Sequence, residues 1–167
     1  MLTKNFADLR AQVEAHLAAD KLVKGQYWED RKGCFIGCLA HEYTQSGCIS
    51  KNEETYSLPA MVQILADNIF EGLTVSEGRE FFAAFPDAVG TNGKDLSDVG
   101  WLFLIEELRA LPPQTGDVKM HIDRVIDGLE LISGGKEWPG ATKAATSAAF
   151  HARAITQIGR ASCRERV

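Results

Sequence analysis

Apolar residues recur along this chain at three- and four-residue intervals, the spacing of a buried helix face, and glycines, prolines and short polar runs interrupt them. Phe6, Leu9, Val13 and Leu17 predict a first helix from about Phe6 to Ala19, with Asn5 as the residue whose side-chain oxygen accepts a free first-turn N–H. After a connector through Gly25, Gln26, Tyr27 and Trp28 and a charged turn over Glu29 to Lys32, a second helix is expected from Cys34 to Gln45, stopping at Gly47. A polar loop over Ser50 to Thr55 follows. Ser57 is then read as the cap of a helix with Pro59 in its first turn, where the missing N–H is harmless, and with Met61, Ile64, Leu65 and Ile69 as its buried stripe.

Thr74 and Glu77 have capping-box spacing, which opens a short helix carrying Phe81, Phe82 and Phe85 and closed by Pro86. Turn formers fill Asp87 to Gly93. The segment from Leu96 to Leu111 is apolar on several faces, so it is expected at the centre of the fold, ended by Pro112-Pro113. Val118, Ile122, Val125, Ile126, Leu129 and Ile132 keep register over Asp117 to Ile132, before Gly134-Gly135. Alanine dominates from Ala141 to Ile155, favouring a last helix. No period-2 alternation of useful length and no repeat of 20 to 50 residues is visible. The expected fold is all-α: one compact bundle of about seven short helices, spanning 1–157.

Composition sharpens this picture little. The chain has 167 residues, 45% apolar and 25% charged, with a net charge of -5. A chain this long can bury roughly two thirds of its unfolded surface without metal or disulfide support. The absence of a basic stripe disfavours nucleic-acid binding, and the apolar runs are too short to span a bilayer. No apolar leader is seen at the N-terminus. Three of the four cysteines fall within Cys34 to Cys48, unlike a secreted disulfide framework, so a cytoplasmic setting is expected. Residues 158–167, IGRASCRERV, look like a translated adaptor or vector scar. Without their three Arg and one Glu, the balance is 15 basic residues against 22 acidic, or -7. The native chain is then expected to continue further.

Candidate chemistry concentrates between Tyr27 and His41. On a helix starting at Gly33, Cys34, Cys38 and His41 stand at i, i+4 and i+7, on one face. Gly33 and Gly37 line an adjacent strip without side chains, which implies the close approach of another backbone or a ligand. Trp28, Lys32, Gly33 and Gly37 are therefore the candidate binding residues.

Three readings of this face stay open. Cys34, Cys38 and His41, with Cys48 or another histidine as fourth ligand, offer donors suited to zinc, although one helix supplying three ligands is unlike the usual paired spacing. As a catalytic centre, Cys34 would be a helix N-terminal thiolate beside Lys32, with His41 too far along the helix to serve it and closer to Cys38. The third reading is packing, since free cysteine behaves as a small buried hydrophobe, and this reading leads. His16, His121 and His151 each stand alone and are read as surface or satisfied histidines. Glu71, Glu106, Glu107, Asp123, Asp127 and Glu130 are read as solvated. No phosphate loop, His-Glu-x-x-His or serine elbow is present, and no cofactor is implied.

Lys32-Gly33-Cys34-Phe35-Ile36-Gly37-Cys38 followed by His41, together with Ile69-Phe70-Glu71-Gly72-Leu73, resembles a family of uncharacterised bacterial and phage-associated proteins. These share a Lys-Gly-Cys-x-x-Gly-Cys segment and many run on into alanine-rich helices. The resemblance covers about Gly25 to Ala154. It implies a phage-encoded accessory protein or host-defence inhibitor that acts by binding a protein partner. An enzyme or small-ligand binder using the Cys/His face, and a structural zinc protein, stand as the alternatives.

Overall fold

The computed structural model describes residues 2–139 of the chain. The expected Ala141–Ile155 helix and the 158–167 tail lie outside them. Among the described residues the fold is mostly α: seven helices and one two-stranded ribbon. None of these helices is long and apolar enough to cross a membrane. The chain divides into two compact units, one ending at Gly100 and one starting at Trp101.

The first unit holds α1 (Phe6–Ala18), the ribbon strands β1 (Trp28–Glu29) and β2 (Lys32–Gly33), α2 (Phe35–Ala40), α3 (Gln45–Tyr56), α4 (Ala60–Gly72) and α5 (Val75–Val89). Its core gathers around Phe35 of α2. That ring meets Phe70 of α4 and Phe81, Phe82 and Phe85 of α5 at centroid distances of 4.7–6.2 Å, mostly tilted or edge-on. Such pairs add roughly 0.5–1.5 kcal/mol each beyond their burial. Every residue of α2 is buried, so this single helical turn and a half serves as the central strut.

Several expected boundaries differ, each for a physical reason. Asn5 does occupy the N-cap position of α1, but in the left-handed region, and its Nδ2 donates to the Thr55 carbonyl at 2.7 Å instead of capping. The free Phe6 N–H is taken by Asn92 Oδ1 at 2.9 Å. The helix expected over Cys34 to Gln45 is two helices. α2 ends where His41 turns left-handed (φ 58°), and Thr44 starts α3, its Oγ1 accepting the Gly47 N–H. The expected polar loop Ser50–Thr55 is the body of α3, whose buried edge is Cys48, Asn52 and Tyr56. Ser57 ends α3 in the left-handed region and Pro59 is the N-cap of α4.

α4 turns Gln63, Ala66, Asp67 and Phe70 to the interior rather than the predicted stripe. Met61 and Leu65 of that stripe are half-buried and meet the side-chain-free Gly100, while Ile69 is exposed. Gln63 locks the helices together: it accepts from Asn52 at 3.1 Å and donates to the Leu58 and Ile49 carbonyls. Thr74 and Glu77 form the expected capping box on α5, but the helix runs past the buried Pro86 to Val89.

α6 (Val99–Arg109) opens in the last residues of the first unit and continues into the second, which also holds α7 (Gly116–Ser133). The central position expected for α6 is not found. Ile105 is buried, whereas Leu102 and Phe103 are 51% and 38% exposed. In α7, Gly128 and Leu129 are buried, and Trp138 lies directly on Gly128, where a Cβ would fall 2.1 Å from the indole. Arg109 joins the two helices by ion-pairing with Glu130 as well as with Glu106.

Candidate functional site

Local chain chemistry positions the Tyr27–His41 segment. β1 and β2 pair antiparallel, Trp28 with Gly33 and Glu29 with Lys32, across the two-residue turn Asp30-Arg31. Both turn residues have φ > 0 (50° and 65°), the pattern whose twist suits a tight hairpin. The ribbon is anchored at its base: Gly33 N donates to Lys21 O at 3.0 Å, Val23 N to Gly33 O at 2.9 Å, and Cys34 N to Gln26 O at 2.7 Å.

This arrangement identifies what lies against the glycine strip. A Cβ built on Gly37 would stand 1.4 Å from the Tyr27 carbonyl oxygen, and one on Gly33 would stand 2.0 Å from it. The close approach implied by the two glycines is that of the chain's own backbone. Trp28 is half-buried and stacks on the His41 ring at 4.0 Å and 17°, and Lys32 is exposed on the ribbon edge.

The four residues put forward as ligands or catalysts do not meet at one point. Cys34 is the N-cap of α2 and its thiol donates to Asp67. Cys38 Sγ donates to Gly33 O at 3.2 Å, and Cys48 Sγ to Glu42 O at 3.2 Å. Among the described residues, the group whose possible ligand atoms all lie within 4.8 Å of one another is Cys34, Asp67 and Glu71, two of which the sequence did not single out for chemistry. There Glu71 receives the Gly25 N–H at 3.0 Å, and Asp67 receives the Ile36 N–H.

The electrostatics run against thiolate formation. Burial, then the neighbouring Asp67 carboxylate, pushes the Cys34 thiol far above its ordinary range, overriding any benefit of the helix end. Burial likewise raises Cys38 to about 12 and Cys48 to about 11. Burial raises Asp67 as well. These thiols are protonated at neutral pH and are held as weak hydrogen-bond donors.

His41 goes elsewhere, to a residue the sequence left as an isolated histidine. Its Nε2 lies 3.0 Å from Nε2 of His16, which is on α1 and 4% exposed. His16 Nδ1 lies 2.8 Å from Gln12 O, and Gln12 Nε2 reaches both His41 Nε2 at 2.8 Å and Cys38 O at 3.1 Å. The indole of Trp28 completes the cluster, edge-on to His16 at 5.4 Å. Burial lowers both imidazoles below their ordinary range, and Lys21 adds to the effect. The helical spacing of Phe6, Leu9 and Val13 places the α1 inner face; nothing in it identifies His16, at i+3 from Val13, as a partner for a residue 25 positions on.

In the second unit a cleft of about 260 Å³ opens at the α6–α7 turn, lined by Leu108, Leu111, Pro112, Pro113, Ile122 and Ile126 with Arg109, Gln114, Lys119 and Asp123 at its polar margin. The chain matches no protein-family model, no curated protein and no solved structure, and its own residues carry the functional reading.

Proposed function

We propose that this protein is an interaction module that binds a basic amphipathic helix of a partner protein in the cleft at the α6–α7 turn. The observation that carries the reading is the cleft itself: apolar walls, polar margins, and large apolar side chains left in water around it. Leu111 among its lining residues is 46% exposed, and Leu108, Ile122 and Ile126 are half-buried. A helix laid into such a groove would bury these side chains with its own anchors at i, i+3, i+4 and i+7. Removing about 100 Å² of apolar surface from water is worth roughly 2.5 kcal/mol before the cost of association, so a specific contact needs several such anchors.

Charge selects the kind of helix. Residues 101–139 contain seven Asp and Glu against four Lys and Arg. The two basic residues at the cleft margin, Arg109 and Lys119, are already paired with Glu106, Glu130 and Asp123, and the net acidic charge of this unit steers a partner with basic flanks and repels an acidic one. The state of the thiols also favours binding over thiol catalysis: buried and protonated, they make poor nucleophiles.

A selection of displayed peptides on the purified protein tests this. Enriched peptides are expected to pattern as amphipathic helices with Lys or Arg flanks, and Leu111→Asp is expected to weaken them at least tenfold. Enrichment of acidic or unpatterned peptides, or binding indifferent to Leu111→Asp, would overturn the reading.

A further inference from the structure

Asp67 is a buried carboxylate without a counter-ion. It is 7% exposed, and among the described residues no Lys, Arg or His pairs with it. Buried charges are ordinarily paired or bound to a metal. One turn along α4, the Glu71 carboxylate lies within 4.8 Å of it, as does the Cys34 thiol at the N-cap of α2. Every hydrogen bond named for the two acids is an accepting one. Asp67 accepts from the Ile36 N–H at 3.4 Å and from the Cys34 thiol, and Glu71 accepts the Gly25 N–H across both oxygens at 3.0 and 3.2 Å. Lys24 reaches this end of α4, but it donates to the Glu71 and Leu73 backbone carbonyls and not to a carboxylate. Two like charges therefore stand side by side, one of them out of water, with no cation between them.

We propose that Cys34, Asp67 and Glu71 form a site for a borderline divalent cation of the Zn2+ type, held by one sulfur and two carboxylate oxygens, with a fourth position open to water. Thiolate and carboxylate both ligate zinc, and three protein ligands with an open fourth position is a recurrent zinc arrangement. Metal–sulfur bonds of about 2.3 Å and metal–oxygen bonds of about 2.0–2.2 Å set tetrahedral ligand atoms about 3.4–3.6 Å apart. The three donors already lie within 4.8 Å of one another, so each gap closes by at most about 1.4 Å. Glu71 is exposed and can make that movement while the Gly25 N–H keeps one of the two oxygens it now bridges.

The surroundings fit a cation. A carboxylate has about four lone-pair sites, so the hydrogen bonds on Asp67 and Glu71 leave room for a metal and orient the oxygens that would hold it. On binding, the S–H bond of Cys34 breaks, the metal–sulfur bond forms and the proton passes to solvent. The metal supplies the positive charge that lets a buried thiol ionise. Three anionic ligands outweigh the dication, so two uncompensated negative charges become one. The exposed side of Glu71 is the way in. The site would tie the start of α2 to the end of α4, and it does not rest on the α6–α7 cleft, whose residues all lie beyond Gly100.

The test is titration of Co2+, a coloured stand-in for Zn2+, into the full-length, reduced and chelator-treated protein at pH 7.5. About one equivalent is expected to bind saturably with a thiolate-to-cobalt charge-transfer band, and added Zn2+ is expected to abolish the band. Glu71→Gln, a change at an exposed position, is expected to weaken binding at least about tenfold, the scale seen even for groups that merely orient a ligand. Cys34→Ser is expected to lose the band, and Cys163→Ser to keep it. No saturable binding up to about 1 mM metal, which would leave the acids sharing a proton, overturns the proposal. So does cobalt bound without the thiolate band, or a band that survives in Cys34→Ser or with undiminished affinity in Glu71→Gln. Should Cys34→Ser fail to fold, the unaltered protein and Glu71→Gln decide.

Discussion

Replacing Gly37 by alanine should destabilise this protein, although the same change in an isolated helix is favourable. Alanine gains about 1 kcal/mol over glycine within a helix. At position 37 the new Cβ would stand 1.4 Å from the Tyr27 oxygen, 2.3 Å from its carbonyl carbon and 2.9 Å from its Cα. All three are backbone atoms, so no side chain can swing aside. Reaching even 3.0 Å requires the Tyr27 oxygen to retreat by about 1.6 Å.

That retreat disturbs the Cys34 N–H to Gln26 O bond and the Trp28–Gly33 pairing. Overpacking costs roughly 1–3 kcal/mol and each weakened hydrogen bond roughly 0.5–1.5 kcal/mol, so the net loss is about 3 kcal/mol after the helix gain. With a urea slope of about 2 kcal/mol per molar, the midpoint falls by about 1.5 M. Gly72, at the end of α4 with nothing within 4 Å of its added Cβ, is the internal control; Gly72→Ala should be neutral or mildly stabilising. The reasoning is refuted if Gly37→Ala and Gly72→Ala shift the midpoint alike.

The thiols and the histidine pair yield two more outcomes. At pH 7.5, native Cys48 and Cys38 should react with iodoacetamide about a hundredfold and a thousandfold more slowly than in urea, on thiolate population alone, given values near 11 and 12 against an ordinary 9.0; peptide-level mass spectrometry separates them from Cys163, and a fast native Cys38 would contradict its burial. His16 and His41 are lowered in the fold, so the unfolded chain binds more protons below pH 6.5; their contribution to stability is complete above pH 6.5 and is lost as pH falls below it. With chelator present, the urea midpoint of the unaltered protein should fall between pH 7 and 5 more steeply than that of His41→Asn, and equal slopes would remove the pair from the acid response. Asp67, raised by burial, acts in the opposite sense in both proteins and cancels in that comparison.

Where local chemistry decides an element, the sequence was readable. Thr74 and Glu77 satisfy each other's backbone at the start of α5, and no tertiary contact is needed to recognise them. Where tertiary contacts decide, pattern misled. α3 reads as a polar loop because Asn52 stands on its buried edge, and Asn52 is tolerated there only because Gln63 and the Ile36 carbonyl accept from it. α6 reads as a core helix because it is apolar on several faces, yet Leu102 and Phe103 meet water.

The glycine strip and the histidine pair mark the limit of such reading in opposite ways. Gly33 and Gly37 announce a close approach through what they lack, and a four-residue spacing on one strip is a local property. What approaches, the Tyr27 carbonyl, follows from the tight turn at Asp30-Arg31, which uses neither of the glycine- or asparagine-rich pairs that ordinarily flag it. His41 shows the converse. Helical spacing sets it in line with Cys34 and Cys38, but α2 stops at Ala40, and the left-handed backbone at His41 swings the ring out of that line towards α1. Its partner is then set by where α1 packs against α2, a contact between residues 25 positions apart. A motif assigned from spacing therefore carries over to the folded chain only while the helix it assumes continues, and here the assumption fails at the one residue that makes the longer-range contact.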